Sequence, residues 1–395
     1  MITGENMLSK APRRIYFDNA ATTKMDPRVG RILCDQMEHN FGNPASMHWF
    51  GQKSAAALAV ARRSLADFFY CQPEELVFTS GATEANNLAL KGLMGAFDKT
   101  THFITSAIEH PSVSMTASAL QRQGHELTVV RPDKQGVVSA DSLLATVTDK
   151  TRLISLMYVN NETGVIQPVQ EVGKKLEILN EERLRNKRPK IFLHVDAVQA
   201  LNFLNCRPDH LHADLITFSA HKIHGPKGIG LLYVRDKTDL NKHIDGGTQE
   251  RGRRAGTVNT AAAMAMAEAV KIINTSQTIF NEHLEKCRRQ LDESLKKIKN
   301  IHFYSNPDKC VPAIMNFYID GLSGEDLMIK LDLHGIAVST GAACAAGAMQ
   351  PSKTLLAMGY DEREVHGSIR LSLSRYTSLA EIKKFTQVIN KIVNG

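Results

Sequence analysis

The feature that most constrains the fold is an alternation of short apolar runs with helix-patterned stretches between about residues 75 and 235. The apolar runs predict buried strands at 75–80, 102–106, 152–159, 191–197, 215–219 and 229–234. Helical periodicity marks AAALAVARRSLADFF before them, and GATEANNLALKGLM opens a helix directly behind the first of them. Strands that alternate with helices predict a mostly parallel sheet covered by helices on both faces.

The length predicts more than one domain, because a single core stops growing at roughly 250–300 residues and this chain has 395. The alternation of strand and helix patterns ends at about residue 262, where long helical stretches begin. Residues 313–319 and 369–374 are predicted as further strands. We therefore expect a large α/β domain over 15–261. A smaller α+β domain would comprise 262–395 together with 1–14.

Charge and cysteine usage exclude several classes of protein. The net charge is +7, but the basic residues are scattered rather than clustered in a stripe, so we expect no nucleic-acid partner. The six cysteines form no CxxC or CxxH pair, which predicts neither a metal site nor a disulfide framework and favours a reducing cytoplasm. There is no run of about 18 apolar residues, so we expect no membrane partner, and the N-terminus lacks the apolar core of a signal peptide.

The segment TSGATEANNLAL predicts a phosphate site. A Ser-Gly-Ala-Thr turn after a strand, with a helix starting behind it, turns free backbone N–H groups and the helix dipole toward an anion, and Thr83 adds a hydroxyl. The alternative is an ordinary helix N-terminus with nothing bound.

The segment FSAHKIHGPKGIG predicts a reactive lysine. Lys222 follows a buried strand, between two histidines and before a Gly-Pro turn. An amine held in a partly dry pocket has a lowered pKa and forms Schiff bases. The alternative is a surface loop lysine.

Two further polar residues follow strands. Asp196 could pair with a protonated ring nitrogen of pyridoxal phosphate and keep the ring electron-poor, with Gln199 in reach of the ring hydroxyl. The imidazole of His110 could stack on the same ring. The alternatives are a solvated aspartate at a strand end and a capping histidine.

The segment STGAACAAGAMQPS places Cys344 among small residues, which is typical of a mobile loop rather than of a core. A cysteine in such a loop can ionise and reach a substrate sulfur. Arg370, further along, has the planar guanidinium that suits bidentate capture of an amino-acid carboxylate.

Together these segments closely resemble the cysteine desulfurases of the NifS/IscS type, a branch of the pyridoxal-phosphate enzymes of fold type I. The resemblance runs from YFDNAATT (16–23) to SIRLSLSRYT (368–377). Between these two segments the motifs follow one another in the order found in the family: FGNPAS, FTSGATEANNLALKG, NNETGV, HVDAVQ, SAHKIHGPKGIG and RRAGT. It implies a mostly parallel seven-stranded sheet in the large domain, and a small domain that carries the Cys344 loop.

The resemblance also implies a role for each matching residue. Lys222 would hold pyridoxal 5'-phosphate as a Schiff base and take the α-proton, and Cys344 would accept the sulfur. Ala82, Thr83, Ser219 and His221 would bind the phosphate, and Thr257 would reach the phosphate of the other subunit of a homodimer. His110, Asp196 and Gln199 would contact the ring, and His110 would also be a catalytic residue. Asn161 and Arg370 would bind the substrate carboxylate with Asn43 nearby, and Asn161 would also bind the cofactor.

The implied reaction removes sulfur from L-cysteine and gives L-alanine and a persulfide on Cys344. An acceptor would then take the sulfur for iron–sulfur cluster assembly, tRNA thiolation, another cofactor pathway or DNA sulfur modification. The alternative on the same scaffold is a selenocysteine lyase, which the apparent insertion 179–190, QPV at 167–169 and GAAC at 341–344 resemble. The loop after the cysteine, Ala345, Ala346 and Gly347, departs from the Thr/Ser-rich loop frequent in the desulfurases, but its length is that of the longer loop type and Cys344 keeps its role. A non-catalytic protein on this fold is a further alternative, against which the intact Lys222 and Asp196 argue.

Overall fold

The structure is a computed structural model that describes residues 14–97, 99–340 and 351–394. Its strands group into one large and two small sheets. The strands are β1 Ile15–Tyr16, β2 Leu76–Thr79, β3 His102–Ser106, β4 Glu126–Val130, β5 Thr151–Met157, β6 Phe192–Asp196, β7 Leu215–Ser219, β8 Gly230–Val234, β9 Ile301–Phe303, β10 Ile314–Ile319, β11 Ile336–Ala337 and β12 Ile369–Ser372.

Helices connect most of these strands. They are α1 Pro27–His39, α2 Trp49–Phe69, α3 Ala82–Asn87, α4 Leu93–Gly95, α5 Pro111–Arg122, α6 Ala140–Leu144, α7 Val169–Arg185, α8 Pro208–Leu211, α9 Thr260–Leu295, α10 Gly324–Leu333, α11 Lys353–Ala357, α12 Glu362–His366 and α13 Leu379–Asn394. A π-helical turn, Leu88–Gly92, joins α3 to α4, and short 3₁₀ turns include Pro73–Glu75, Ala220–Lys222, Gln249–Gly252 and Pro307–Lys309.

The large sheet has seven strands in the order β2-β8-β7-β6-β5-β3-β4. β8 is antiparallel to both of its neighbours, and the other pairs are parallel. The predicted fold class, a mostly parallel seven-stranded α/β sheet, is confirmed. The six strands predicted from the apolar runs are all present in it, and β4 is the strand that the sequence did not indicate.

Both faces of this sheet are covered, as the unbroken apolar runs predict. The buried apolar side chains around the sheet form two separate clusters, one larger than the other. Within β5, Leu153 belongs to the smaller cluster and its neighbour Ile154 to the larger, and within β7 Leu215 and Ile216 are divided in the same way. Side chains alternate between the faces of a strand, so each cluster fills one side of the sheet. The sheet is therefore a rigid platform whose strand ends carry the polar residues.

A second, antiparallel sheet has the order β12-β10-β9 and contains both strands predicted in the C-terminal part. β1 pairs in parallel with β11, which ties the beginning of the described chain to this part of the molecule. The long helix α9 is continuous from Thr260 to Leu295 and so spans the predicted boundary at 261/262. The division into 15–261 and 262–395 remains a prediction.

Candidate active site

The carboxyl ends of the parallel strands meet at one edge of the large sheet, where open α/β sheets bind their ligands. The segment after β2 forms the phosphate turn predicted from the sequence. Ser80 N donates to Glu84 Oε2 at 2.7 Å, and α3 begins at Ala82. Among the described residues no side chain caps α3, so its first N–H groups stay open to an anion beside the exposed Thr83.

Glu84 fixes this turn to another part of the chain. Its carboxylate pairs with the Arg254 guanidinium, with Nε–Oε1 at 2.8 Å and Nη2–Oε2 at 3.3 Å. Burial opposes ionisation of Glu84, but the bonds from Arg254 and Ser80 outweigh it and the pKa of Glu84 is lowered. Arg254 lies in the same loop as Thr257, which is exposed. Sequence reasoning assigned no role to Glu84 or Arg254.

Lys222 lies in the 3₁₀ turn that follows β7. Its Nζ donates to the carbonyl oxygens of Ala20 and Ala21, and Gln199 Nε2 donates to the Ala20 carbonyl at 2.8 Å. Asn202 Nδ2 donates to the Lys222 carbonyl at 2.8 Å and steadies the turn. The structure thus brings Lys222 and Gln199 together at the DNAATT segment.

Asp196 ends β6 and is buried, so the alternative of a solvated aspartate is wrong. Its Oδ2 accepts from Asn86 Nδ2 at 2.8 Å, and its Oδ1 accepts from Val198 N at 3.1 Å. Asn86 also donates to Ser112 Oγ at 2.8 Å. Sequence reasoning missed Asn86 and Ser112, because nothing in the local pattern shows which amide will meet a strand end 110 positions away.

His110 is the N-cap of α5, so it is a capping histidine, as the alternative states. Capping leaves the proposed stacking on a ligand possible. The Nδ1 atom of His110 accepts from Ser112 N at 3.1 Å and lies 2.8 Å from Ser112 Oγ, which joins the ring to the Asn86–Asp196 pair. His110 is exposed as a whole residue. Desolvation nevertheless lowers the pKa of His110, while Asp196 raises it and Lys222 lowers it further, so the three residues are close enough to interact electrostatically. A neutral ring in this position can both cap α5 and stack on a ligand.

Arg370 lies in β12 and reaches the loop after β5. Its Nη1 donates to the Asn161 carbonyl at 3.0 Å, and its Nη2 pairs with Asp18 Oδ1 at 2.8 Å. Nε is buried and has no partner among the described residues. The predicted neighbours Asn161 and Arg370 are in contact, and Nη1 and Nη2 each keep a second N–H group besides the one that is bonded here.

The remaining predicted residues are less closely gathered. Asn43 is exposed and its Oδ1 accepts from Ala45 N at 2.9 Å. His221 Nδ1 lies 3.2 Å from Thr22 Oγ1, and burial, with Lys222, lowers its pKa to about 4. Ala82 begins α3. Cys344 lies outside the described residues.

The donor set fits the expected cofactor, pyridoxal phosphate. Ser219 Oγ, at the end of β7 and three residues before Lys222, is buried without a hydrogen-bond partner in the described part of the chain. A buried hydroxyl of this kind normally has a partner, so a phosphate oxygen would satisfy it. An uncapped helix start, a buried aspartate and an amine lie at the same sheet edge, and these are the groups that a phosphate, a pyridine nitrogen and an aldehyde require.

Comparison with known proteins gives concordant matches over the whole length. Residues 15–385 match the aminotransferase class-V family. The cysteine desulfurase IscS of Methanosarcina thermophila is 38% identical over 391 residues, which are 99% of this chain and 94% of that protein.

Two solved structures resemble this one closely. A NifS-like protein has a TM-score of 0.89 at 34% identity and covers 97% of this chain and 100% of its own. SspA in complex with cysteine has a TM-score of 0.78 at 31% identity and covers 92% of this chain and 100% of its own. Within the described residues, no helix is both long and apolar enough to cross a membrane.

Proposed function

Since the chain belongs to the aminotransferase class-V family and, within it, to the cysteine desulfurases, we propose that it uses pyridoxal phosphate on Lys222 to release sulfur from L-cysteine. The observation that carries this proposal is the meeting of Lys222, Asp196 and His110 at one edge of the sheet, beside the uncapped start of α3. The related SspA structure contains cysteine, which supports L-cysteine as the substrate.

Each residue then has a task that follows from its position. When bound, pyridoxal phosphate supplies an electron sink for the charge that develops at the substrate α-carbon. Asp196, buried and held by Asn86, presents a carboxylate to a protonated ring nitrogen. Lys222 moves the α-proton. Its Nζ is positioned by hydrogen bonds to the Ala20 and Ala21 carbonyl oxygens. Arg370 and Asn161 orient the substrate carboxylate.

Sulfur transfer falls to Cys344. Its thiolate attacks the sulfur of L-cysteine, a sulfur–sulfur bond forms and the carbon–sulfur bond breaks. The electron pair of the broken bond stays with the carbon fragment, which takes up a proton and leaves as L-alanine. The step has the elementary chemistry of thiol–disulfide exchange and leaves a persulfide for an acceptor protein or a small thiol.

We further propose that the enzyme is a homodimer in a reducing compartment such as the cytoplasm. Thr257 is exposed, which suits a residue that reaches a neighbouring subunit's phosphate. Cys34, Cys71, Cys206, Cys287 and Cys310 are all free thiols, which supports a reducing environment. An iron–sulfur scaffold protein is the proposed acceptor.

The decisive experiment measures sulfide and alanine released from L-cysteine in the presence of a reductant, with selenocysteine in parallel. We expect Lys222→Ala to lose the visible absorption of bound pyridoxal phosphate, and to lose activity by about 10²-fold or more. Cys344→Ala should keep that absorption and release no sulfide. Lys227→Ala, at an exposed lysine five residues on, and Cys34→Ala, at an exposed thiol, are the matched controls.

Two results would contradict the proposal. Full activity of Cys344→Ala on selenocysteine, with almost no wild-type activity on cysteine, would identify a selenocysteine lyase. Unchanged absorption in Lys222→Ala would remove Lys222 from the cofactor site.

A further inference from the structure

A small cavity adjoins the candidate site but has most of its walls elsewhere. It measures about 30 Å³, and it is lined by Lys222 and Gln199 on one side and by Arg375 and Phe280 on the other. Asp196, His110 and Arg370 are not among the described residues that line it. Lys222 and Gln199 are the lining residues to which the expected chemistry gives a role, and Arg375 and Phe280 have none in it.

Arg375 is a buried cation whose side chain is only 4% exposed. Its Nε, Nη1 and Nη2 atoms are all buried and, over the described residues, have no hydrogen-bond partner. The centre of the guanidinium lies 5.0 Å from the centroid of the Phe280 ring, which places it at the cavity wall. Asp26 and the Tyr376 hydroxyl lie close to the guanidinium but cannot serve all five of its N–H groups, so a further acceptor is expected beside it.

The nearest carboxylate, Asp26, is already used by another arginine. Arg28 holds it in a bidentate pair, with Nε–Oδ1 at 3.0 Å and Nη2–Oδ2 at 2.8 Å, and Tyr376 donates to Oδ2 at 2.7 Å. Arg375 Nη2 approaches the same Oδ2 at 3.2 Å without forming a hydrogen bond. The bonds from Arg28 keep the pKa of Asp26 well below its usual range, so one negative charge is shared by two guanidinium groups.

The cavity is also electropositive, because Asp26 does not fully neutralise Arg375. Arg375 lines it and keeps its charge whether or not pyridoxal phosphate is bound to Lys222, and none of the described residues that line it is an Asp or a Glu. His224, also in the wall, does not change this balance at neutral pH, because burial and Arg375 lower its pKa to about 4. Water could accept the Arg375 hydrogen bonds but would leave the excess positive charge uncompensated.

We propose that this cavity is a binding site for a small monovalent anion of halide size, with the Arg375 guanidinium as its principal ligand. A cavity of about 30 Å³ has room for at least one water-sized group, so a halide ion fits it without rearrangement of its walls. The bound anion supplies the acceptor that Arg375 lacks. Asn202, which lines the cavity and also donates to the Lys222 carbonyl at 2.8 Å, links the site to the turn that carries the reactive lysine.

Bromide is the probe for this site, since it scatters anomalously. Crystals of the full chain with pyridoxal phosphate, grown in sodium bromide, should show an anomalous peak in contact with the Arg375 guanidinium. In solution, the midpoint of thermal unfolding should rise with sodium chloride relative to sodium gluconate at equal ionic strength. Both measurements are independent of catalysis, so they separate this inference from the proposed function.

Three variants test the charge argument. Arg375→Met should abolish both the anomalous peak and the chloride dependence. Arg28→Met releases Asp26 to pair with Arg375 and should raise the halide concentration at half effect by about tenfold, the value of roughly one charge-assisted hydrogen bond. Arg31→Met, at an exposed position of the same helix, is the matched control and should change neither quantity.

An ordered water beside Arg375 without bromide would overturn the proposal, as would an equal chloride effect in Arg375→Met. If Arg375→Met does not fold, the anomalous peak and the Arg28→Met shift still decide. Unchanged halide dependence in Arg28→Met would show that Asp26 does not compete with the anion, and would contradict the argument.

Discussion

Glu109 is a buried carboxyl group directly before His110, at the end of the segment that follows β3. Its Oε1 accepts from Ser106 Oγ and from Met157 N at 2.9 Å, and its Oε2 has no partner among the described residues. Desolvation raises the pKa of Glu109 to about 8, and the nearby Asp196 contributes in the same direction. At neutral pH this carboxyl group is therefore mostly protonated.

This raised pKa predicts a pH-dependent stability. Between pH 4.5 and 8 the unfolded chain releases the Glu109 proton and the folded chain keeps it. The folded state then binds more protons, so the free energy of unfolding falls as pH rises, by up to about 1.4 kcal/mol per pH unit. Glu109→Gln should remove this loss, so that urea unfolding at pH 5 and at pH 8 gives more similar free energies than in the wild type.

Glu38→Gln, at an exposed position of α1, is the control and should follow the wild type at both pH values. A Glu109→Gln protein that loses as much stability as the wild type over this range would show that Glu109 ionises normally in the folded chain.

Single residues also mark the limit of what the sequence predicts. Lys222, Asp196 and His110 were predicted because each follows an apolar run, and strand ends in such sheets meet at one edge. Asn86 and Glu109 could not be given roles in the same way. Their partners, Asp196 and Met157, depend on which strands become neighbours, and no local pattern specifies that order.

Among the elements, α3 and β8 approach each other at the phosphate turn. A Cβ atom added to Gly230 in β8 would lie 2.6 Å from the Gly81 carbonyl carbon and 2.8 Å from its Cα. Both atoms are backbone, so the turn itself would have to move. Gly230→Ala should cost about 1–3 kcal/mol of stability and weaken pyridoxal phosphate retention during dialysis.

Gly95→Ala is the matched control, because its Cβ would meet its nearest neighbour at 3.5 Å, an ordinary contact, in a helix. Normal cofactor retention in Gly230→Ala would mean that the phosphate does not bind at this turn.

The Arg254–Glu84 pair joins α3 to the loop that carries Thr257. Both side chains are largely buried, at 20% and 10% exposure, so the pair is screened less than a surface ion pair. Glu84→Gln leaves Arg254 with a neutral partner, and we expect pyridoxal phosphate to dissociate about tenfold more readily. The change is measured from the absorbance of the bound cofactor at increasing dilution.

Glu74→Gln is the control, since the Arg251–Glu74 pair in the same region is solvent-exposed and should contribute little. Equal cofactor loss in the two variants would show that the Arg254–Glu84 pair has no special role at the phosphate turn.

Most elements could be predicted because their patterns are strong. β5 is buried along nearly its whole length, and so reads as a continuous apolar run. β4 was missed because it lies at the edge of the sheet with mostly exposed or half-buried residues, which gives no clear period. The π-helical turn Leu88–Gly92 was missed because its residues carry an ordinary helical pattern.

At the scale of the whole molecule, one surface is unusual for a single chain. Phe41, Met47, Trp49 and Phe50 lie close together in sequence and are 69%, 90%, 64% and 47% exposed. Phe50 contacts Phe41 at 5.2 Å and Trp49 at 5.0 Å between ring centroids, so the aromatic side chains form one continuous patch. Exposed clusters of this kind mark protein interfaces.

A second copy of this chain is the proposed partner for the patch, which lies in the same sequence segment as the exposed Asn43. Trp49→Lys places a charge in the patch and should shift the protein toward monomer in sedimentation equilibrium. If Thr257 from a second subunit completes the phosphate site, the same variant should lose pyridoxal phosphate as the protein concentration falls and the subunits dissociate.

Leu333→Lys, at an 80% exposed leucine of α10, is the control and should leave both the mass and cofactor retention unchanged. A fully dimeric Trp49→Lys protein would assign the interface to another surface, whereas a monomeric variant that retains the cofactor would show that each subunit builds its phosphate site alone.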